Sequence, residues 1–380
     1  MHIGFITSEY SCHNYSGNVG GIATFIRNLA IKLVSKGHSV SVFVHSQSKS
    51  EVFEENGVNV HFVQKQNLKG FTWLVNRVSF NKYVNSVVKA NKIDILEAPE
   101  WTGFTAFMSF KCPLVLRLHG SDTYFCHLEK RILKQKNKFY ERIALKNCDA
   151  IVGVSQFVSD TTNELFNLNR SIEVIHNTID THTFIPNHQN VQPKTLLYFG
   201  SVIRKKGVLE IAPVFNQLVA KDNFIKLLIV GRDVEDVLEQ KSTLNLFKAQ
   251  LSSEALKNFE YKSAVPYQEI INHIYKAEVI LLPSFAEAFP MTWLEAMAME
   301  KKMVTSDIGW AKELMVDGLT GFTVNPKNHN DFVNKVTSLL DNDNSLQMGV
   351  NARKRIKESF NSDSIFEKNI NFYKKTINEF

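Results

Sequence analysis

Short apolar runs alternate along most of the chain with stretches in which apolar side chains recur every three or four positions. Runs of that kind bounded by turn residues read as buried strands, and the 3.6-residue period between them reads as amphipathic helix. In the first half the pattern predicts strands at 3–7, 40–44, 93–96, 114–118 and 150–154. Between the first two, Ile22, Phe25, Ile26, Leu29, Leu33 and Val34 fall on one helical face, and Gly37 stands where a helix stops. A second series at 196–199, 227–230, 279–282 and 303–305 restarts the alternation. Repeated strand–helix units predict an α/β fold with parallel sheets. The polar stretch 183–194, with Pro186 and Pro193 and no periodicity, reads as a linker, so domains are expected at 1–185 and 186–362. Doubly wound sheets bind ligands outside the carboxyl ends of their strands. Two such domains facing each other would share a cleft there, and function is to be sought in the loops that follow strands.

Composition narrows the class. With 44% apolar and 22% charged residues, the 380-residue chain is ordinary globular protein, which excludes wholesale disorder, coiled coil and collagen. No apolar run approaches the roughly 18 residues of a spanning helix. The opening Met1-His2-Ile3-Gly4-Phe5-Ile6-Thr7 reads as a strand and not a secretory signal, so a cytoplasmic protein is expected. Cys12, Cys112, Cys126 and Cys148 are scattered without a CxxC pair, which suggests buried thiols and neither a disulfide framework nor a zinc site.

The net charge of +6 is unevenly placed: residues 1–190 hold 20 Lys and Arg against 15 Asp and Glu. Most of that excess lies in 124–146, where seven cations meet two acids among Tyr124, Phe125, Ile132, Leu133, Phe139, Tyr140 and Ile143. Two readings fit the segment, a solvated helix face or a surface that docks on an anionic membrane.

Three loops could carry chemistry. The stretch Ser16-Gly17-Asn18-Val19-Gly20-Gly21 precedes the first amphipathic helix, where glycines and free amides suit a phosphate; a plain tight turn fits equally. In Gly200-Ser201-Val202-Ile203-Arg204-Lys205-Lys206-Gly207, three cations between glycines suit a diphosphate or form a surface basic turn. The third loop starts at Pro283, places Glu287 before a helix and Glu295 inside it, and puts Pro290 at the first helical position. Amides of Met291 and Thr292 would then be open to an anion. A carboxylate accepts two hydroxyl hydrogen bonds, so the two glutamates read as clamps for vicinal diols around an anion, or as solvated acids favoured by the helix dipole. Trp101 follows a strand and could stack on a sugar or pack in the core.

Taken in order, these loops join Leu118-His119-Gly120-Ser121-Asp122, the run from Cys148 to Ser155 and Ile175-His176-Asn177-Thr178-Ile179-Asp180. Together they resemble a family 4 retaining glycosyltransferase of the GT-B fold, over nearly the whole chain. The resemblance implies two Rossmann-like doubly wound domains across a cleft, with a final helix at 363–380 packing back on the first. It implies that Glu287 binds donor-sugar hydroxyls and Glu295 the ribose. Lys206 and Arg204 would stabilise the diphosphate leaving group, Arg204 replacing the arginine the family often has at the position of Ser201. His119 would face the sugar and Asp122 the acceptor side with Trp101, while Gly20, Gly21, Asn177, Phe289, Met291 and Thr292 would surround the donor. The implied chemistry is front-face transfer with retention and no enzyme nucleophile.

The expected activity is transfer of a hexose or N-acetylhexosamine from a nucleotide-diphosphate sugar, UDP-sugar favoured, to a glycan or lipid-linked glycan in surface polysaccharide synthesis, at the inner face of the membrane. GDP-mannose is the rival donor; a GT-B epimerase or phosphorylase and a binding protein are the rival classes. Nucleic acid is not an expected partner, because no helix-turn-helix, zinc or RNA-binding signature is present. No cofactor is expected, since the nucleotide sugar is a co-substrate. Asp341-Asn342-Asp343 resembles a DxD metal signature but sits in a polar loop and reads as a turn, so no metal is expected either.

Overall fold

The computed structural model describes residues 1–15, 19–342 and 345–380. It forms two compact units, Met1–Asn177 with Asp363–Phe380, and Thr178–Ser362. The composition-based boundary at 185 and the division at 177 differ for a physical reason. Arg353 donates to the carbonyls of Thr181, Phe184 and Ala298, and the Gln192 and Lys194 amides bond to the Lys276 carbonyl and to Glu278. The stretch 183–194 is therefore tied down inside the second unit and is not a free linker.

Unit 1 runs β1 (His2–Thr7), α1 (Gly21–Ser35), β2 (Ser39–Gln47), β3 (Glu51–Glu55), β4 (Val58–Gln64), α2 (Thr72–Asn91), β5 (Ile95–Pro99), β6 (Leu114–Leu118), α3 (Asp122–Glu129), α4 (Gln135–Asn147), β7 (Ala150–Gly153), α5 (Gln156–Phe166) and β8 (Glu173–Val174). Its sheet has the order β3-β4-β2-β1-β5-β6-β7-β8, parallel except for the β3–β4 hairpin. That hairpin turns at Asn56-Gly57, both with positive φ, the combination a tight two-residue hairpin requires. On α1, Ala23, Phe25, Ile26, Leu29 and Leu33 are buried against the sheet, and Gly37 follows at φ 82°.

Unit 2 runs β9 (Thr195–Phe199), α6 (Val208–Lys221), β10 (Lys226–Val230), α7 (Thr243–Lys248), α8 (Ser253–Lys257), β11 (Phe259–Lys262), α9 (Tyr267–Lys276), β12 (Val279–Leu282), α10 (Met291–Ala298), β13 (Lys302–Ser306), α11 (Ala311–Leu314), β14 (Phe322–Val324), α12 (His329–Asp341) and α13 (Leu346–Ser359). Its sheet is fully parallel in the order β11-β10-β9-β12-β13-β14. The order reverses direction between β9 and β12, the switch point at which such sheets open a ligand crevice.

The last helix, α14 (Ser362–Glu379), returns to unit 1, where Ile365, Phe366, Ile370, Phe372 and Tyr373 join the core beside α1, β1 and β2. Beneath it Arg117 makes two 2.8 Å bonds to Glu97 and one of 2.6 Å to Asn369, and the Tyr373 hydroxyl donates to Glu97 at 2.7 Å. Burial would drive the Arg117 proton off, but Glu97 outweighs it and holds the guanidinium charged. Among the described residues no helix is long and apolar enough to cross a membrane.

Candidate functional site

In unit 2 the loops after β9 and β12 are locked together by backbone. The amides of Phe285 and Ala286 donate to the Lys205 carbonyl at 2.8 and 3.3 Å. Gly207 holds φ 70°, and a Cβ on it would stand 1.9 Å from the Pro283 carbonyl oxygen, so only glycine permits this approach. The loop after β10 closes the third side: a Cβ on Gly231 would meet the Gly200 carbonyl oxygen at 1.8 Å. These constraints deliver Lys206 Nζ to 2.9 Å from Glu287 Oε1, and the Ser284 hydroxyl donates to the same oxygen at 3.1 Å. A Cβ on Gly200 would be 3.8 Å from Thr292 and 4.0 Å from Lys206 Nζ, so the glycine, the ammonium and the start of α10 share one small space.

As the first amides of α10, Met291 and Thr292 have no acceptor within the helix and carry its positive dipole end. Pro290 is the residue before the helix, one position earlier than its sequence suggests. Glu295 lies buried one turn into α10, and the Phe289 ring packs tilted against Phe360 at 5.5 Å. Burial, seconded by the Glu287 charge, holds Tyr198 well above its ordinary pKa, so its hydroxyl stays protonated and donates to the Ser201 carbonyl at 2.7 Å.

Arg204 does not join the Lys206–Glu287 pair in the described contacts. Its guanidinium is bidentate to Asp236 at 2.7 and 3.1 Å, and Asp236 also accepts the Leu238 and Glu239 amides. With Asp236 fully buried, this is a charge-assisted brace between two loops, and a phosphate would have to compete with it.

Unit 1 places its predicted residues at the carboxyl ends of its strands. The Gly20 amide is not open as its sequence suggests, because Glu9 Oε2 accepts it at 3.1 Å, and a carboxylate at the start of α1 satisfies both amide and dipole. Gly21 has open space where a Cβ would lie. Ser16, Gly17 and Asn18 of that loop, and Asp343 of the Asp-Asn-Asp stretch, lie outside the described residues. His119 follows β6 with its ring edge on Phe25 at 4.9 Å; burial, then the Arg117 charge, push its pKa down to about 3, leaving a neutral imidazole. Its amide donates to Glu100 Oε2 at 2.9 Å. Asp122 opens α3, where Asn137 donates to its carboxylate at 2.8 Å and Arg131 stands at 3.8 Å. Asn177 is buried in the last residues of the continuous part of unit 1.

Trp101 lines a cavity of about 180 Å³ with Ile6, Ser8, His45, Phe104 and Thr105. The His45 ring stacks on Phe104 at 3.5 Å, and burial pushes it down to about 3, so this wall is uncharged. Thr105 Oγ1 is buried there without a partner.

Sequence reasoning missed Asp236, Ser284 and Glu100. Nothing local marks the first, which meets Arg204 only through folding. Glu100 stands beside Trp101 in Glu97-Ala98-Pro99-Glu100-Trp101, and its position directly after a strand was the available signal. Burial pushes it up to about 8, while the bond from His119 pulls the other way.

A family model described as Glycosyltransferase Family 4 matches residues 19–183, and one described as Glycosyl transferases group 1 matches residues 181–358. An uncharacterized glycosyltransferase of Methanocaldococcus jannaschii is 27% identical over 402 residues, covering 98% of each chain. Among solved structures, sucrose-phosphate synthase from Thermosynechococcus elongatus matches with TM-score 0.83 and 17% identity over 100% of each chain. Anabaena HepE in complex with UDP and glucose matches with TM-score 0.74 and 17% identity over 99% of this chain and 100% of that one.

Proposed function

The chain belongs to the family 4 glycosyltransferases and has their GT-B fold, and on that premise we propose that it transfers a hexose or N-acetylhexosamine from a UDP-sugar to a glycan or lipid-linked glycan, in the cytoplasm, with retention and without a metal. The observation that carries the reading is the Lys206–Glu287 pair beside Gly200 at the start of α10. A cation, a carboxylate and the first amides of a helix within one small space match the leaving diphosphate and the hydroxyls of its sugar. UDP in the HepE complex supports the choice of base.

In this reading the donor parts Lys206 from Glu287. The diphosphate meets Lys206 and the Met291 and Thr292 amides; Glu287 accepts sugar hydroxyls and Glu295 the ribose. As the bond from the anomeric carbon to the diphosphate oxygen breaks, its electron pair goes to the phosphate, where Lys206 stabilises the growing charge. The acceptor hydroxyl forms the new bond on the same face and passes its proton to the departing diphosphate. Arg204, held by Asp236, shapes the loop, so the charge on the leaving group falls to Lys206.

Melting the protein with UDP, GDP, ADP and CDP, with and without chelator, tests the donor assignment. At about 100 times its dissociation constant a ligand adds roughly 2.7 kcal/mol of stability. UDP alone should raise the melting point, and the rise should survive chelation. A shift from GDP alone would replace the donor, and a shift that disappears with chelator would overturn metal independence.

A further inference from the structure

The outer side of α2 and α4 carries an apolar surface in the wrong place for a monomer in water. On α2, Phe80, Val84 and Val88 face the sheet, yet Phe71, Leu74 and Val78 repeat at helical spacing on the solvent side, with Phe71 62% exposed. Phe107 stands beside them at φ 65°, a costly backbone for a bulky residue, and its ring is 58% exposed. Its ring contacts Trp73, Phe139 and Tyr140 at 5.9, 6.3 and 6.3 Å, joining α2 to α4, where Phe139 is 55% exposed. Between α2 and Phe107 opens a cavity of about 370 Å³ lined by Trp73, Leu74, Arg77, Val78, Lys82 and Phe107.

The charge around this surface has one sign. The two helices hold seven Lys and Arg, among them Lys82, Lys136 and Lys138, against a single acid, Glu141. Glu141 is fully buried and turned inward onto the Asp122 and Thr123 amides, so the exposed surface of both helices carries no carboxylate. The Lys136 ammonium lies over the Tyr140 ring at 5.7 Å, so cation and aromatic surface are adjacent on α4. From this combination of projecting rings, an apolar slot and uncompensated cations we propose that unit 1 docks on an anionic lipid bilayer through α2, Phe107 and α4. A second copy of the same face is a poor partner: Arg77 is buried, and pairing like with like would set the other cations of both helices against their own copies with no carboxylate between them. The sequence alone points to 124–146; within it Ile132 and Phe139 are exposed while Tyr124 and Phe125 are buried core, and the surface extends beyond it through Phe71, Leu74, Val78 and Phe107. The inference goes beyond sugar transfer and does not depend on it.

The test is sedimentation of the full chain with vesicles of phosphatidylcholine, with and without phosphatidylglycerol. Binding should require phosphatidylglycerol and weaken as salt rises. Lys136→Gln with Lys138→Gln should weaken it about fivefold per charge. Phe107→Asn with Phe139→Ser should weaken it by about tenfold or more; Asn suits the positive φ, so the fold is kept. Lys374→Gln with Lys375→Gln, the same charge change on α14, should leave binding within about twofold. Release of nucleoside diphosphate in vesicle-free solution should be equal in all variants, which separates this proposal from the transfer reading. Equal losses from the α4 and α14 pairs, binding to neutral vesicles alone, no binding at low salt, or a dimer that Phe107→Asn dissociates would each overturn it.

Discussion

Lys206 and Glu287 neutralise each other at 2.9 Å, partly exposed, and a pair of that kind contributes under about 1 kcal/mol to stability. Glu287→Gln should therefore leave urea unfolding within about 1 kcal/mol of wild type while sharply lowering sugar transfer, a split that separates a site residue from a structural one. Glu100 makes the opposite prediction. Its pKa is raised to about 8 by burial, above the ordinary 4.5, so the folded protein keeps it protonated where the unfolded chain has ionised it. That contribution is fully present below about pH 4.5 and is lost as pH rises toward about 8. Glu100→Gln keeps an acceptor for the His119 amide and cannot ionise. Its stability should fall less than wild type's between pH 5 and pH 8, read by urea unfolding at both; parallel curves would show that Glu100 is ionised in the fold.

At the scale of elements, the site depends on two glycines whose missing Cβ atoms let loops touch. Gly207→Ala would force a methyl group onto the Pro283 carbonyl at positive φ, and should cost about 2 kcal/mol or more and weaken UDP binding. Gly21→Ala meets open space in the first turn of α1 and should be neutral or stabilising by up to about 1 kcal/mol. The same contrast shows what the sequence made legible. Strands buried on both faces, such as β1, β6, β9 and β12, announce themselves as apolar runs. The β3–β4 hairpin was missed although Asn56-Gly57 marks it, because β3 is a short edge strand whose two apolar residues, Val52 and Phe53, are adjacent and do not alternate with polar ones. The two-residue β8 and the alternating β11 are too short or too polar for the pattern to register. The placement of Lys206 and Glu287 on loops after strands, and of Glu295 inside the following helix, was legible from residue type and spacing. The partners were not: Asp236 for Arg204 and Glu9 for Gly20 are chosen by tertiary structure.

Across the whole molecule, the chain leaves unit 1, builds unit 2, and comes back as α14 to complete the first core. Deleting 363–380 would remove Tyr373 and Asn369 from the Arg117–Glu97 pair and strip five apolar side chains from the sheet. Arg117 and Glu97 would still pair with each other, and each hydrogen bond lost by a buried charged group costs about 1.5 to 3 kcal/mol. Hydrogen exchange should then show unit 1 losing protection while the β9–β14 sheet keeps its own; uniform loss in both would contradict the division into units. The central claim, that a cation at the start of α10 drives departure of a nucleoside diphosphate, is tested most directly by one rate. The measurement is release of UDP from UDP-sugars, and of GDP from GDP-mannose, by wild type and Lys206→Ala at matched melting temperature. Release from UDP-sugars that falls about 10²-fold or more in the variant is the predicted result. Equal rates in the two proteins, or no release from any donor, would contradict it.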